Sequence, residues 1–178
     1  MNPVVLVLAS GRGERFLASG GSTHKLQALL GNKTVLQHTL DAVRASGLPY
    51  HLEHAGHPGM GDSIAAAVRA TADADGWLIL PADLPLVLPE TLRRVATAPA
   101  EQALVRPVYQ GRHGHPVRFA RACAAALLAL TGETGAAPVV RQFGVTELQV
   151  DDAGCVTDID TVQDLQQALQ ILRSRAAQ

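Results

Sequence analysis

The chain has 178 residues, with 15 Lys and Arg against 16 Asp and Glu for a formal net charge of -1, and 47% of it is hydrophobic. Such a chain buries a full core without disulfides or structural metal, which excludes intrinsic disorder. Neutrality and only 3% aromatics also exclude a basic nucleic-acid face and a base-stacking platform, while 16 Gly and 10 Pro suit an α/β enzyme with shaped loops.

In chain order, Val4–Ala9 is a β-branched run ending in small residues, as in a parallel strand covered on both faces. The apolar opening Met1–Ala9 lacks a basic leader and is cut off by Gly11-Arg12-Gly13-Glu14-Arg15. It falls far short of the roughly 20 residues of a membrane span, so a cytoplasmic protein is expected. A Gly/Ser loop follows from Ser10 to about His24. Thr34 reads as the N-cap of a helix over 35–45, with Gly47 just past its end. Residues 50–53 form a weak second strand, and 64–71 a helix capped by Asp62 or Ser63. The clearest later strand, 77–80, runs into Pro81-Ala82-Asp83-Leu84-Pro85.

Pro89 opens a helix over 90–97 from its first turn. A strand over 103–107, a Gly/His turn at 111–116, an extended 117–119 and helices over 121–130 and 136–142 continue the alternation. Val145–Val150 and Val156–Ile159 flank Asp151-Asp152-Ala153-Gly154, a hairpin turn by composition. Thr161, with Asp164 three residues on, caps a terminal helix. The pattern predicts one α/β domain over 1–178, a Rossmann-like, mostly parallel sheet with helices on both faces. Cys123 and Cys155 have no CxxC spacing and read as ordinary thiols.

In open α/β sheets ligands bind beyond the carboxyl ends of the strands. Three strand-exit segments therefore hold the chemistry. The first is Leu8-Ala9-Ser10-Gly11-Arg12-Gly13-Glu14-Arg15-Phe16, followed by Lys25. Its small residues let backbone amides approach phosphate oxygens, and Arg15 and Lys25 supply positive charge. Phe16 stands where a dinucleotide fingerprint needs its third glycine, and no Walker lysine follows. A flexible surface loop is the plain alternative. The second is Asp83, held between prolines at the end of an apolar strand, either as a Mg²⁺ ligand or as an Asx turn. In the third, Asp158-Ile159-Asp160-Thr161, strand alternation puts both aspartates on one face. One can complete a metal site with Asp83 while the other caps the last helix. His51, His54 and His57 are expected in solvent, because no thiolate or second carboxylate set accompanies them. Trp77 is expected in the core, and Glu101 and Arg106 at the surface.

Taken together, these segments resemble the MobA-like nucleotidyltransferases, and within them the molybdenum-cofactor cytidylyltransferase branch, whose fold is nucleotide-diphospho-sugar transferase-like. The resemblance runs from Val4 to about Leu169. Residues Leu8 to Phe16 resemble the LAxGxSxRM/F signature, and Gly59-Met60-Gly61-Asp62-Ser63-Ile64 resembles GMSSSL. Ala82-Asp83-Leu84-Pro85-Leu86-Val87 is similar to GDMPLV, and Gly111-Arg112-His113-Gly114-His115-Pro116-Val117 to GRRGHPV. Gly132-Glu133-Thr134-Gly135-Ala136 resembles GDxGAR, and Asp158-Ile159-Asp160-Thr161-Val162-Gln163-Asp164 resembles DIDTPED.

The resemblance implies transfer of CMP from CTP to the phosphate of molybdopterin, with release of pyrophosphate and with Mg²⁺ or Mn²⁺ as cofactor. Carried over by motif, Arg15, Lys25 and Asp83 are the catalytic set, and Asp83 and Asp160 the metal ligands. Leu8, Ala9, Ser10, Gly11, Arg12 and Gly13 would line the nucleotide pocket, with Gly61, Asp62 and Ser63 against base or ribose. His115 would meet the acceptor, as would Arg141, since Ala137 stands at the motif arginine's place. Ser10 replaces a glycine of guanine-using relatives, which favours cytosine. Lys25 lies farther from Arg15 than the family spacing, with 17–24 between, and Asp62 replaces a serine. A guanylyl or other NTP transferase acting on molybdopterin or another small phosphate is one alternative. A non-catalytic cofactor chaperone for a molybdenum hydroxylase is another. A molybdenum hydroxylase is the protein partner expected; neither nucleic acid nor membrane is.

Overall fold

The computed structural model describes residues 3–178; Met1 and Asn2, the start of the apolar opening segment, lie outside it. The described strands are β1 (Val4–Leu8), β2 (Leu29–Leu30), β3 (Lys33–Thr34), β4 (Tyr50–Glu53), β5 (Gly76–Pro81), β6 (Leu104–Tyr109), β7 (Arg112–His113), β8 (Val117–Ala120) and β9 (Thr146–Gln149). The helices are α1 (Glu14–Ala18), α2 (Val35–Ser46), α3 (Met60–Ala70), α4 (Pro89–Ala96), α5 (Ala124–Leu128), α6 (Ala137–Phe143) and α7 (Val162–Ala176).

The main sheet runs β4-β1-β5-β8-β6-β7, with β9 also paired to β6, while β2 and β3 form a separate small hairpin. Strand β1 is parallel to both β4 and β5. Because β8 is antiparallel to β5 and to β6, β6 points the same way as β5, and β9 runs parallel to β6. Strands β4, β1, β5, β6 and β9 thus share one direction, and the sheet is mostly parallel as expected.

The apolar runs of β1 and β5 supply both faces of the core, because side chains alternate across a strand. Val5, Val7, Leu78 and Leu80 pack with Val35 and Val43 of α2, Leu92 of α4 and Ala168 of α7. Leu6, Leu8, Trp77 and Ile79 pack on the other face with Ile64 of α3, Leu127 of α5 and Val139 of α6. Trp77 is fully buried, and its indole N–H donates to the Thr71 hydroxyl at 3.0 Å. Among the described residues no helix is long and apolar enough to cross a membrane.

The helix caps follow local sequence. Thr34 Oγ1 accepts from the Gln37 amide at 3.1 Å, the Thr34 amide donates to Gln37 Oε1 at 2.7 Å, and Gly47 closes α2 at φ 75°. Thr161 and Asp164 make the same reciprocal box at α7. Helix α3 begins at Met60 rather than 64, with Gly59 as N-cap and no capping side chain. There the helix end abuts backbone: a Cβ on Gly61 would lie 2.8 Å from the Thr131 oxygen. The predicted loop over 10–24 contains α1, and the helix over 121–130 divides into a 3-10 turn at Arg121–Cys123 and then α5.

The predicted hairpin around Asp151–Gly154 is not formed. Asp152 is 2% exposed and accepts from the Leu88 amide at 3.0 Å, the Thr91 hydroxyl at 2.7 Å and the Gly154 amide at 2.8 Å. These partners on and before α4 capture a carboxylate whose composition suggested a solvated turn. The chain passes through a 3-10 turn at Ala153–Val156 and continues toward Asp160 without forming a strand.

Candidate active site

Strands β1 and β5 end side by side, and their exits define the site. The Ala82 amide donates to the Leu8 carbonyl at 3.0 Å, extending the ladder one step, so Asp83 emerges just beyond it. Buried Thr39 of α2 donates its hydroxyl to the Ala82 carbonyl at 2.7 Å, and the Ile159 amide donates to the Asp83 carbonyl at 2.9 Å. Ile159 is fully buried, which turns its neighbours Asp158 and Asp160 the other way. Oxygens of Asp83, Asp158 and Asp160 consequently lie within 4.8 Å of one another. The expected common face exists although no strand forms there.

Lys25 enters this cluster. Its Nζ donates to Asp83 Oδ2 at 2.7 Å and to Asp160 Oδ1 at 3.3 Å, and Arg15 Nη1 donates to Asp160 Oδ2 at 3.3 Å. Burial pulls the Lys25 pKa down, but Asp83 and Asp160 together outweigh it and hold the ammonium above its usual 10.5. Burial, with the charges of Asp83, Asp160 and Asp164, pushes the Asp158 carboxyl above its usual range. Asp83 Oδ1 is buried without a hydrogen-bond partner.

The residues between Arg15 and Lys25 form a built turn that returns the chain to the site. Phe16 and Leu26 are buried anchors at either end. His24 Nδ1 accepts from the Leu26 amide at 3.2 Å, which leaves its Nε2 to donate to the Gly11 carbonyl at 2.7 Å. The Val162 amide at the start of α7 donates to the Ser19 hydroxyl at 2.9 Å. The long spacing therefore does not displace Lys25.

A cavity of about 680 Å³ lies over these groups. Ser10, Gly11, Arg12, Gly13, Arg15, Lys25, Ser63, Asp83, His115 and Asp160 are among the residues that line it. The Ser10 and Ser63 hydroxyls meet at 2.6 Å. Burial pushes the His115 imidazole below its usual 6.5, opposed by the charge of Asp83 and aided by Arg106.

Other expected site residues are engaged elsewhere. Leu8 turns its side chain into a neighbouring apolar cavity, and the Ala9 amide is taken by the Glu53 carbonyl at 2.8 Å. The Gly61 amide donates to the Gly132 carbonyl at 2.8 Å, and the Asp62 carboxylate accepts from the Gly132 amide at 3.1 Å, so both hold the 131–133 loop. Arg141 is exposed and lines neither cavity. Val139 faces the core, and two residues on, about 200° around the helix, Arg141 points away.

Two charged groups correct the sequence reading. Glu53, 8% exposed at the end of β4, binds His57 Nε2 at 3.1 Å and His51 Nε2 at 3.2 Å, so neither histidine is a free solvated side chain. Burial raises the Glu53 pKa, yet His57, His51 and the Ala55 amide bring it below the usual value. Arg106 is partly buried and donates to Glu147 at 3.2 Å, whereas Glu101 is exposed as expected. His57 and Arg112, neither assigned a site role from sequence, both line the large cavity, and Arg112 also donates to the Val156 carbonyl at 3.2 Å. For Arg112, its place in the Gly111–Val117 segment was the available signal.

Residues 42–148, more than half of the chain, match the family model of the MobA-like NTP transferase domain. The chain is similar to Rv0371c from Mycobacterium tuberculosis H37Rv, with a TM-score of 0.79 at 25% identity over 96% of this chain and 98% of that one. The complex of Rv0371c with manganese gives a TM-score of 0.75 at 25% identity over 96% and 99%. Molybdopterin-guanine dinucleotide biosynthesis protein A from Archaeoglobus fulgidus shares the fold, with a TM-score of 0.70 at 19% identity over 96% and 98%. A stretch of 23 residues is 83% identical to YagP of Escherichia coli strain K12, described as containing a LysR family substrate binding domain. That stretch spans 13% of this chain and 17% of that protein.

Proposed function

The chain belongs to the MobA-like NTP transferase family, and we propose that it transfers CMP from CTP to the phosphate of a molybdopterin-type acceptor. The observation that carries this reading is the convergence of Lys25 with Asp83, Asp158 and Asp160 beneath a glycine-rich loop. An acceptor phosphate oxygen attacks the α-phosphorus of the nucleotide. The bond from that phosphorus to its bridging oxygen breaks, and pyrophosphate leaves with the electron pair. A phosphate oxygen is already nucleophilic near neutral pH, so positioning and charge neutralisation carry the reaction.

Lys25 and Arg15 would hold the triphosphate, with the Gly11–Gly13 backbone close enough for direct contact. The joined hydroxyls of Ser10 and Ser63 form a small, fixed polar wall for base or ribose. His115, whose pKa burial lowers from its usual 6.5, would offer the acceptor a hydrogen bond. The acidic cluster fits a divalent cation, because three carboxylates converge and buried Asp83 Oδ1 has no donor to face. Asp83 with Asp160, joined or replaced by Asp158, would hold Mg²⁺ or Mn²⁺, which supplies neutralisation of triphosphate charge. The manganese complex of Rv0371c supports that choice of ion class. Ser10 supports cytosine over guanine.

The test is pyrophosphate release with CTP, GTP, ATP or UTP in the presence of Mg²⁺ and molybdopterin. CTP-dependent release that is lost in Asp83→Asn supports the reading. A strong GTP preference removes the cytidylyl assignment. No release with any nucleotide, together with cofactor binding that survives Asp83→Asn, replaces the enzyme by a cofactor chaperone.

A further inference from the structure

His57 stands in the loop between β4 and α3, lines the large cavity, and keeps only 19% of its side chain exposed. Its Nε2 meets Glu53 Oε1 at 3.1 Å. Glu53 is engaged within the protein on both oxygens, since Oε1 also takes the Ala55 amide at 3.3 Å and Oε2 takes His51 Nε2 at 3.2 Å. Burial raises the Glu53 carboxyl, but these three donors outweigh it and hold it below its usual range. An ionised carboxylate can only accept, so Nε2 of His57 carries the proton and the ring is fixed in orientation. The other ring nitrogen, Nδ1, makes no hydrogen bond to any described residue, and it is not buried.

Sheet order decides which part of a nucleotide this nitrogen meets. Leu8 of β1 is level with Glu53 of β4 on one side and with Pro81 of β5 on the other. Two strand spacings, about 10 Å, therefore separate the Glu53 exit from the exit that carries Asp83. With the triphosphate held by Lys25 beside the carboxylates, the ribose comes next and the base, farthest from the phosphates, reaches the β4 side. A neutral Nδ1 offers a lone pair, which pairs with an exocyclic amine and repels a carbonyl oxygen. Cytosine presents an amine at the ring position where uracil presents a carbonyl. We propose that His57, oriented by Glu53, is a specificity-determining residue that accepts a hydrogen bond from the exocyclic amine of the base and so selects cytosine over uracil. The assignment rests on the nucleotidyl-transfer reading and adds to it the group that reads the base edge. Glu53 acts through His57 as a positioning residue.

Calorimetric titration of the intact protein in Mg²⁺ tests it with CTP, UTP and the CTP analogue that carries hydrogen in place of the amine. CTP is expected to bind about tenfold or more tighter than either of the others, because both leave Nδ1 without its donor. His57→Ala is expected to abolish that preference while leaving the affinity for inorganic tripolyphosphate unchanged, which also reports an intact fold. Glu53→Gln keeps the shape and removes the charge, and is expected to narrow the preference with tripolyphosphate affinity again unchanged. Equal wild-type affinities for the three nucleotides, or a CTP preference that survives His57→Ala, overturn the assignment. A preference lost in His57→Ala but intact in Glu53→Gln overturns the positioning role of Glu53. Pyrophosphate release is read separately. Its absence alongside a His57-dependent CTP preference overturns the transferase reading, and release with CTP and UTP bound equally well overturns only the role of His57.

Discussion

Lys25 Nζ and Asp83 Oδ2 lie 2.7 Å apart although 58 residues separate them, and each side chain is only 14% exposed. A pair so placed is screened little by solvent, unlike most surface ion pairs. Its ammonium also lies 3.3 Å from Asp160, which Arg15 meets at the same distance. The group that would grip a phosphate is thus held in place by the carboxylates that would grip a cation.

Lys25→Ala is expected to lower the turnover rate by roughly 10²–10³, about 3–4 kcal/mol, as for loss of one oxyanion donor. Steady-state pyrophosphate release at saturating CTP and acceptor measures it. An unchanged rate removes Lys25 from the mechanism.

Thr39 couples α2 to the loop that carries Asp83 through its 2.7 Å bond to the Ala82 carbonyl. Thr39→Val keeps the shape, leaves that carbonyl without its donor, and should cost about 1–3 kcal/mol of stability. Urea denaturation gives the loss, and Mn²⁺ titration should show weaker binding because Asp83 follows the freed carbonyl. Wild-type stability in the variant would show that Thr39 contributes nothing to holding the loop.

Gly114 touches the segment that leads to Asp158 and Asp160. A Cβ there would stand 2.6 Å from Cys155 Sγ and 2.7 Å from the Cys155 carbonyl oxygen. Gly114→Ala is expected to destabilise by about 1–3 kcal/mol through overpacking and to lower activity as the two segments separate. Thermal unfolding checks the first effect and pyrophosphate release the second; a variant matching wild type in both contradicts the close fit.

His115 sets part of the acid limb of stability. Burial keeps its folded pKa below 6.5, so the unfolded chain binds the proton more readily. The stability this confers on the neutral side chain is complete above the unfolded value and is lost as pH falls through the folded one. His115→Asn should therefore lose less stability than wild type as pH drops from about 7 to 5. Parallel loss in both proteins over that range contradicts a buried neutral imidazole.

Much of the scaffold was legible because it rests on local rules. The runs at Val4–Leu8 and Trp77–Leu80, the boxes at Thr34 and Thr161 and the stop at Gly47 depend on neighbours within four residues. The Glu53 histidines were missed because counting thiolates and second carboxylates tests for metal, while a single buried carboxylate suffices to order two imidazoles. Arg141 lies outside both cavities because a shift of four residues along the helix from Ala137 carries a side chain about 40° around its axis. Asp152 was misread because composition does not reveal burial against α4.

Sequence by itself determined that a small, nearly neutral chain with 16 Gly and 10 Pro forms an α/β sheet whose exits carry Arg15, Lys25, Asp83, Asp158 and Asp160. Period, capping and glycine placement act over a few residues, so they can be read along the chain. Only the tertiary structure decided that Lys25 crosses its long turn to reach Asp83, that β8 enters antiparallel between β5 and β6, and that a second, apolar cavity joins the first at His115. Those outcomes depend on which buried faces cover one another across tens of residues. Phe16, Leu26 and Ile159 on one face and Phe119 on the other are buried by such long-range packing, beyond the reach of any local pattern.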